Sequence, residues 1–482
     1  MRRLVLDDDR ALPPEPVVRG SARQIHAATR DLPLVCMHGH IDAQVLAENR
    51  AFADPASLLV VPDHYVVRML VSAGIRPEEL GVRPRDGGNG WTETDPRKIW
   101  RRFCENWHLF RGTPTRYWLE HELAVVFDAP TYPSAETADL LFDHLSERLA
   151  RPEFLPRPLF EQFGIEVLAT TDSALSTLHH HTALQSHGWS GRVIPTFRPD
   201  ALLHIGHNGW PAEVDRLGEL TGTDPGSYAG FLAALRIRRQ DFIAQGALAT
   251  DHGHLSADTT PLSDREAART YEAARRGDAT HDAAAAFTGH MLHQMAAMSC
   301  EDGLVMQLHP GVLRDHDTAA RALYGPDTGF DIPIAAEFTR SLRPLLGSFG
   351  RDPRFRIIVF TVDETTYARE LAPLAGVYPA MRLGAPWWFL DSGDGMRRFR
   401  ESVTETAGFY NTSGFVDDTR AFASIPARHD LARRIDAGYL ARLVSEHRIS
   451  LEEAVETAID LAYRLPTKSY ARPAPVITAS PH

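Results

Sequence analysis

Eight short apolar runs, each ending in polar or ionisable residues, set the limits on how this chain folds. In order they are LPLVCMHGH (32–40), IEVLATTD (165–172), RVIPTFRPD (192–200), ALATDHGH (247–254), GLVMQLHPG (303–311), FRIIVFTVD (355–363), AMRLGAPWWF (380–389) and GFVDDTR (414–420). Between most of them lie stretches with apolar residues recurring at three and four, the helical period. DREAARTYEAARR (264–276), AAAAFTGHMLHQMAAMSC (283–300) and IAAEFTRSLRPLLGSFG (334–350) are examples. Strands alternating with helices argue for parallel βαβ units. Eight of them predict an α/β fold, a (β/α)8 TIM-type barrel, whose site sits at the C-terminal ends of the strands. The polar ends of the runs mark that rim. A doubly wound open sheet is the competing architecture, but the chain has no GxGxxG turn to support it, and no nucleotide cofactor is expected.

The spacing breaks once, between the first and second runs. That gap holds PRKIWRRFCENWHLFRGTPTRYWLEHELAVVFD (96–128), rich in aromatics at helical spacing. The predicted organisation is therefore an N-terminal segment (1–30), a metal-dependent barrel built from 31–50 and 161–465, a helical insertion after strand 1 (51–160), and a tail (466–482). The insertion's aromatics read as a small core of its own. The proline-containing tail lacks periodicity and is expected to wrap the surface or stay disordered.

At 482 residues with 43% hydrophobic content, the chain can bury a large core. A net charge of −12, with acids accompanying the arginines throughout, excludes nucleic-acid binding as its main business. Its three cysteines, Cys36, Cys104 and Cys300, are scattered and fit a reducing cytoplasm. No signal-peptide pattern opens the chain and no run of 18 apolar residues occurs, so no membrane association is expected.

The strand ends supply the chemistry. In an extended chain His38 and His40 point to one side, a half-site for a divalent metal. The last run adds Asp417, Asp418 and Arg420, and two histidines with a carboxylate complete a mononuclear site with open positions. Arg198, His309 and Arg314 lie at other strand ends and, with Arg420, suit an anionic substrate, since arginine binds carboxylate bidentately. Bland readings compete: Arg198 as a turn residue, His309 as a loop histidine, and Asp417 and Asp418 as solvated turn or capping residues. His252 and His254 form a second, weaker metal pair. The HHH run at 179–181 reads as a solvated patch.

Several motifs in order resemble the uronate isomerase (glucuronate isomerase) family of the amidohydrolase superfamily. They are H-x-H followed by AEN, PDHYVVR (62–68), GTPTRYWLEHEL (112–123), ATTD, IPTFRPD, TDHG, QLHPGVLRD, PWWF, DGM, DDTRAF and ARHDLARR (427–434). The resemblance spans about residues 30–465. Departures from the usual pattern, GAPWWF, DDTR, TTDS and TVDE, fall at strand ends and on pocket-forming loops.

The resemblance implies a (β/α)8 barrel with a helical insertion after the first strand. It implies one divalent metal ion, zinc first and manganese second, held by His38, His40 and Asp418. It implies that Tyr65 hydrogen-bonds the sugar's aldehyde oxygen, that Asp418 and Arg420 act at the reacting carbon, and that Arg198, His309, Arg314 and Trp387 line the substrate pocket. The reaction would be aldose–ketose isomerisation of a hexuronate through a cis-enediol, by a cytoplasmic homo-oligomer. Two alternatives stay open on the residues alone. A metal-dependent hydrolase could use the same His/His/Asp set to activate water, although TDHGH stands where a bridging lysine is wanted. A non-catalytic sugar-acid binder is the other.

Overall fold

The computed structural model describes residues 3–85, 91–207 and 209–472. Its strands are β1 (Leu34–Cys36), β2 (Ile165–Ala169), β3 (Arg192–Ile194), β4 (Ala249–His252), β5 (Val305–Leu308), β6 (Ile357–Val359) and β7 (Met381–Leu383). All but β3 pair in parallel with the next. The ladder passes from β3 to β4 through Phe197–Arg198, where Phe197 pairs with Thr250. The eighth position is an irregular segment at 411–419. Ser413 N donates to Leu383 O (2.7 Å) on one side, while Asp418 N donates to His38 O (3.1 Å) and His40 N to Thr419 O (2.9 Å) on the other. These bonds carry the chain from β7 back towards β1, an arrangement consistent with a TIM-type barrel.

Alternate residues of each strand face opposite sides. Val35, Val167, Ala169, Ile194, Ala249, Val305 and Ile358 share one interior cluster. Their neighbours Met306, Leu308, Ile357 and Val359 pack outward against the helical layer. Those helices carry clear local signals. Asp264–Arg275 opens with a Ser263/Glu266 capping box, and His281–Asp302 ends at Gly303, whose φ of 79° suits a glycine. The helix read from 334–350 is shorter, Arg343–Phe349. The preceding amides are taken by side chains: Phe338 N and Thr339 N donate to Glu370, and Arg340 N and Ser341 N to Glu337. That arrangement competes with helix formation.

Helices between Pro55–Leu59 and Pro156–Gln162 fill the long gap. Trp100, Phe103, Trp107, Phe110 and Phe127 are buried there, each worth about 1.5–3 kcal/mol of burial. Their cluster is not separate. It runs continuously into Leu34, Cys36, Ile165, Leu168 and Val193 on the outer face of the barrel. Asp430 ties the parts together, accepting from Arg10 (2.7 Å), Tyr117 (2.9 Å) and Arg434 (2.9 Å).

Residues 466–470 do not form a loose tail. Leu465–Ser469 is helical, and Tyr470 is fully buried with its hydroxyl on Gln307 Oε1 (2.8 Å), inside the barrel's N-terminal end. The remainder of the expected tail, from 473, lies outside the described residues. Among the described residues no helix is long and apolar enough to cross a membrane.

Candidate functional site

A cavity of about 1120 Å³ opens at the C-terminal ends of the strands. It is lined by His40, Tyr65, Arg198, His309, Arg314, Trp387, Asp418 and Arg420 among others, so eight of the nine site residues that the family resemblance implies border it. The ninth, His38, lies beneath, fully buried.

His38 and His40 stand beyond the end of β1, so strand alternation is not what brings them together. The main-chain bonds to Asp418 and Thr419 described above do so. Their rings meet edge-on at 5.4 Å. Asp418 Oδ1 lies 3.5 Å from His38 Nε2 and 3.2 Å from His40 Nε2. Asp418 holds a left-handed backbone (φ 45°), which aspartate tolerates better than most residues. Burial acts to raise its carboxyl, but the two imidazoles outweigh that and hold it well below the usual carboxylate range. Burial pushes His40 down to about 4, leaving a neutral imidazole. Among the described residues His38 Nε2 and Asp418 Oδ1 are buried without a hydrogen-bond partner, and the three ligand atoms lie within 4.8 Å of one another. Two imidazoles and a carboxylate with unused lone pairs suit a divalent transition metal.

Asp251, missed in the sequence, is the electrostatic centre of the site. It is fully buried at the end of β4. His309 Nε2 lies 2.9 Å from its Oδ1, His38 Nδ1 3.7 Å from the same oxygen, and Arg198 Nη1 3.3 Å from Oδ2. Burial opposes its charge, but His309, His38 and Arg198 hold it well below the ordinary value. Trp387 packs its ring against both His309 (4.7 Å) and His38 (5.0 Å).

The arginines are partly engaged by acids. Arg198 Nε donates to Asp200 (2.9 Å), and Arg314 donates to Asp331 (2.9 Å). Arg420 lies 3.7 Å from Asp327, and its buried Nε has no hydrogen-bond partner among the described residues. Tyr65 donates to Asp391 (3.1 Å) and accepts from Phe389 N (3.1 Å). Asp391 is held in turn by Arg428 (2.8 Å), whose guanidinium lies 3.8 Å over Trp118 of the insertion. Asp391 and Arg428 were also missed. Trp388 and Phe389, beside Tyr65, both have positive φ (30° and 46°), a strain of about 1–3 kcal/mol each that the surroundings must hold.

Asp417, His252 and His254 move elsewhere, while the HHH run borders the cavity. Asp417 points away from the cavity to His429 (3.4 Å). Of the HHH run, His181 is not solvated: it is buried and bonded to Thr170 (3.0 Å). His252 and His254 lie outside the cavity lining and group with Asp200.

The model of the glucuronate isomerase family matches residues 18–470. A uronate isomerase from Rhizobium meliloti is 53% identical over 97% of this chain and 99% of its own length. One from Phenylobacterium zucineum is 50% identical over 99% of each. The crystal structure of glucuronate isomerase from Caulobacter crescentus superposes with a TM-score of 0.95 at 49% identity, covering 97% of both chains. That of a uronate isomerase from Thermotoga maritima gives 0.90 at 28%, covering 97% of this chain and all of the other.

Proposed function

The chain belongs to the glucuronate isomerase family, and from that premise we propose how its own residues carry uronate isomerisation. The observation that carries the reading is a group of His38, His40 and Asp418 at the floor of one cavity that Tyr65, Arg198, Arg314 and Arg420 also line. The substrate is an open-chain hexuronate, D-glucuronate giving D-fructuronate, with D-galacturonate giving D-tagaturonate as the second pair.

The reaction moves hydrogen from C2 to C1 and from O2 to O1, with a cis-enediol between. No redox cofactor is required. The α-proton is weakly acidic, so the site must supply a base and stabilise charge growing on oxygen. Asp418 is the base: Oδ1 faces the two imidazoles, and Oδ2 takes the C2 proton and returns it to C1. Its carboxyl is held well below the usual carboxylate range by His38 and His40. Arg420, with an unused Nε, steadies the developing enediolate. Tyr65 turns its hydroxyl from Asp391 to the aldehyde oxygen, and Arg428 keeps Asp391 in place as it does so. Arg198, Arg314 and His309 bind the sugar's carboxylate and hydroxyls, and Trp387 forms the floor. A divalent ion, zinc or manganese, held by His38, His40 and Asp418 would orient the acid end of the sugar and offset its charge.

The chain acts in the reading as a cytoplasmic homo-oligomer, in keeping with three unpaired cysteines. Incubation with D-glucuronate and, separately, D-galacturonate, followed by proton NMR, tests the activity. Formation of the corresponding ketose acid, with its ketone at C2 and its carboxylate still at C6, is expected from at least one. Conversion of neither by metal-loaded protein would overturn the reading.

A further inference from the structure

Asp200, His252 and His254 group beside the end of β4, and no step of the proposed isomerisation uses them. Thr250 and His252 share one parity along β4 and Ala249 and Asp251 share the other, while His254 stands just beyond the strand's end. His252 and His254 are fully buried, at 0% and 3% exposure, and Asp200 nearly so. One polar atom of each side chain is committed. Asp200 Oδ2 accepts from Arg198 Nε (2.9 Å) and from Gly253 N (2.9 Å). His252 Nε2 lies 2.9 Å from Thr250 Oγ1, and His254 Nδ1 lies 2.7 Å from His204 Nε2.

The other polar atom of each is left over. Asp200 Oδ1, His252 Nδ1 and His254 Nε2 are all buried without a hydrogen-bond partner among the described residues. One ligand atom from each of the three residues lies within 4.8 Å of the others. His254 Nε2 stands 3.6 Å from Asp200 Oδ1, too long for a hydrogen bond, and buried polar atoms left without one are costly. The committed atoms explain the arrangement. If His252 Nε2 donates to Thr250 and His254 Nδ1 donates to His204, both rings turn a lone pair inward beside an anionic oxygen. Outer hydrogen bonds of this kind fix ligand tautomers at metal centres. Asp200 and His204 also border the main cavity, which gives an ion an entry path.

We infer that Asp200, His252 and His254 form a second metal site, for a divalent transition ion of borderline softness such as zinc. Two imidazoles and one carboxylate disfavour magnesium or calcium, which take oxygen ligands. The inference stands apart from the isomerase reading. Its ion would anchor Asp200, and through it Arg198, which reaches Asp251 (3.3 Å) in the catalytic cavity.

The test is zinc stoichiometry on the full chain, stripped by chelator and reloaded with zinc, then measured by elemental analysis and by competition with a chromophoric chelator. Wild type should hold two equivalents. Asp200→Asn, His252→Gln or His254→Gln should each hold one. His40→Ala should also keep one, lost when combined with His254→Gln. One equivalent in wild type that disappears with His40→Ala would overturn the second site. So would a second equivalent that survives Asp200→Asn and His254→Gln, as adventitious zinc on exposed histidines would. Should the variants fail to fold, an anomalous difference map of zinc-loaded wild-type crystals decides. A peak among Asp200, His252 and His254 is expected, and its absence overturns the inference.

Discussion

Replacing Asp251 with asparagine keeps the shape of the side chain and removes its charge, and it should damage both stability and rate. Asp251 is fully buried and faces Arg198 at 3.3 Å and His309 at 2.9 Å. Removing one member of a buried charge pair costs about 3–5 kcal/mol, because the partner stays buried without compensation. An unfolding entropy of about 2.1 cal/mol/K per residue gives about 1 kcal/mol/K for a chain of 482 residues. The expected fall in Tm is therefore about 3–5 °C. Asp251 also stands behind His38 at 3.7 Å. Groups that orient a metal ligand from behind typically cost about 10–100-fold when lost. Differential scanning calorimetry and steady-state kinetics on D-glucuronate read both effects. A Tm within about 1 °C of wild type together with kcat/KM within about twofold would refute the argument, since that is the behaviour of a surface position.

Three further outcomes are expected. Glu122 is buried and burial raises its carboxyl to about 8, so the folded chain keeps a proton that the unfolded chain releases near 4.5. Stability should accordingly fall as pH rises from about 5 through 8, by up to about 5 kcal/mol at about 1.4 kcal/mol per pH unit, and Glu122→Gln should flatten that slope in denaturant titrations. Gly253→Ala would place a methyl 2.5 Å from His309 Cε1 and 2.7 Å from Arg198 Nη2. Overpacking of about 1–3 kcal/mol should appear as lower kcat/KM on D-glucuronate with the fold retained by circular dichroism. Removal of metal with a strong chelator should abolish turnover, and zinc or manganese should restore it, as followed by ketose formation.

Much of this architecture is legible in the sequence because it is local. Short apolar runs with polar ends locate the strands, and a glycine or a Ser/Glu pair marks the helix ends, as at Gly303 and Ser263. The motif ends also place His309, Arg198 and Asp418 at one rim. What escapes is long-range. Asp391 reaches Tyr65 across 326 positions, and no local pattern announces it. Asp251 was obscured by its histidine neighbours. Its parity with the small interior residue Ala249 is the signal that would have separated it from His252 and His254. His38 and His40 were paired for the wrong reason. They converge through main-chain bonds to 418 and 419, nearly four hundred residues away, not through the pleat of β1. Tyr470 escaped because its prolines suggest a tail, whereas its ring closes the base of the barrel.

The central claim is that Asp418 removes the C2 proton of a hexuronate. Its most direct test follows that proton by NMR, with D-glucuronate in D2O, for wild type and Asp418→Asn at equal metal content. Wild type should form the ketose and exchange hydrogen at C2, while the folded variant should do neither. Isomerisation or C2 exchange by Asp418→Asn at the wild-type rate would contradict the account.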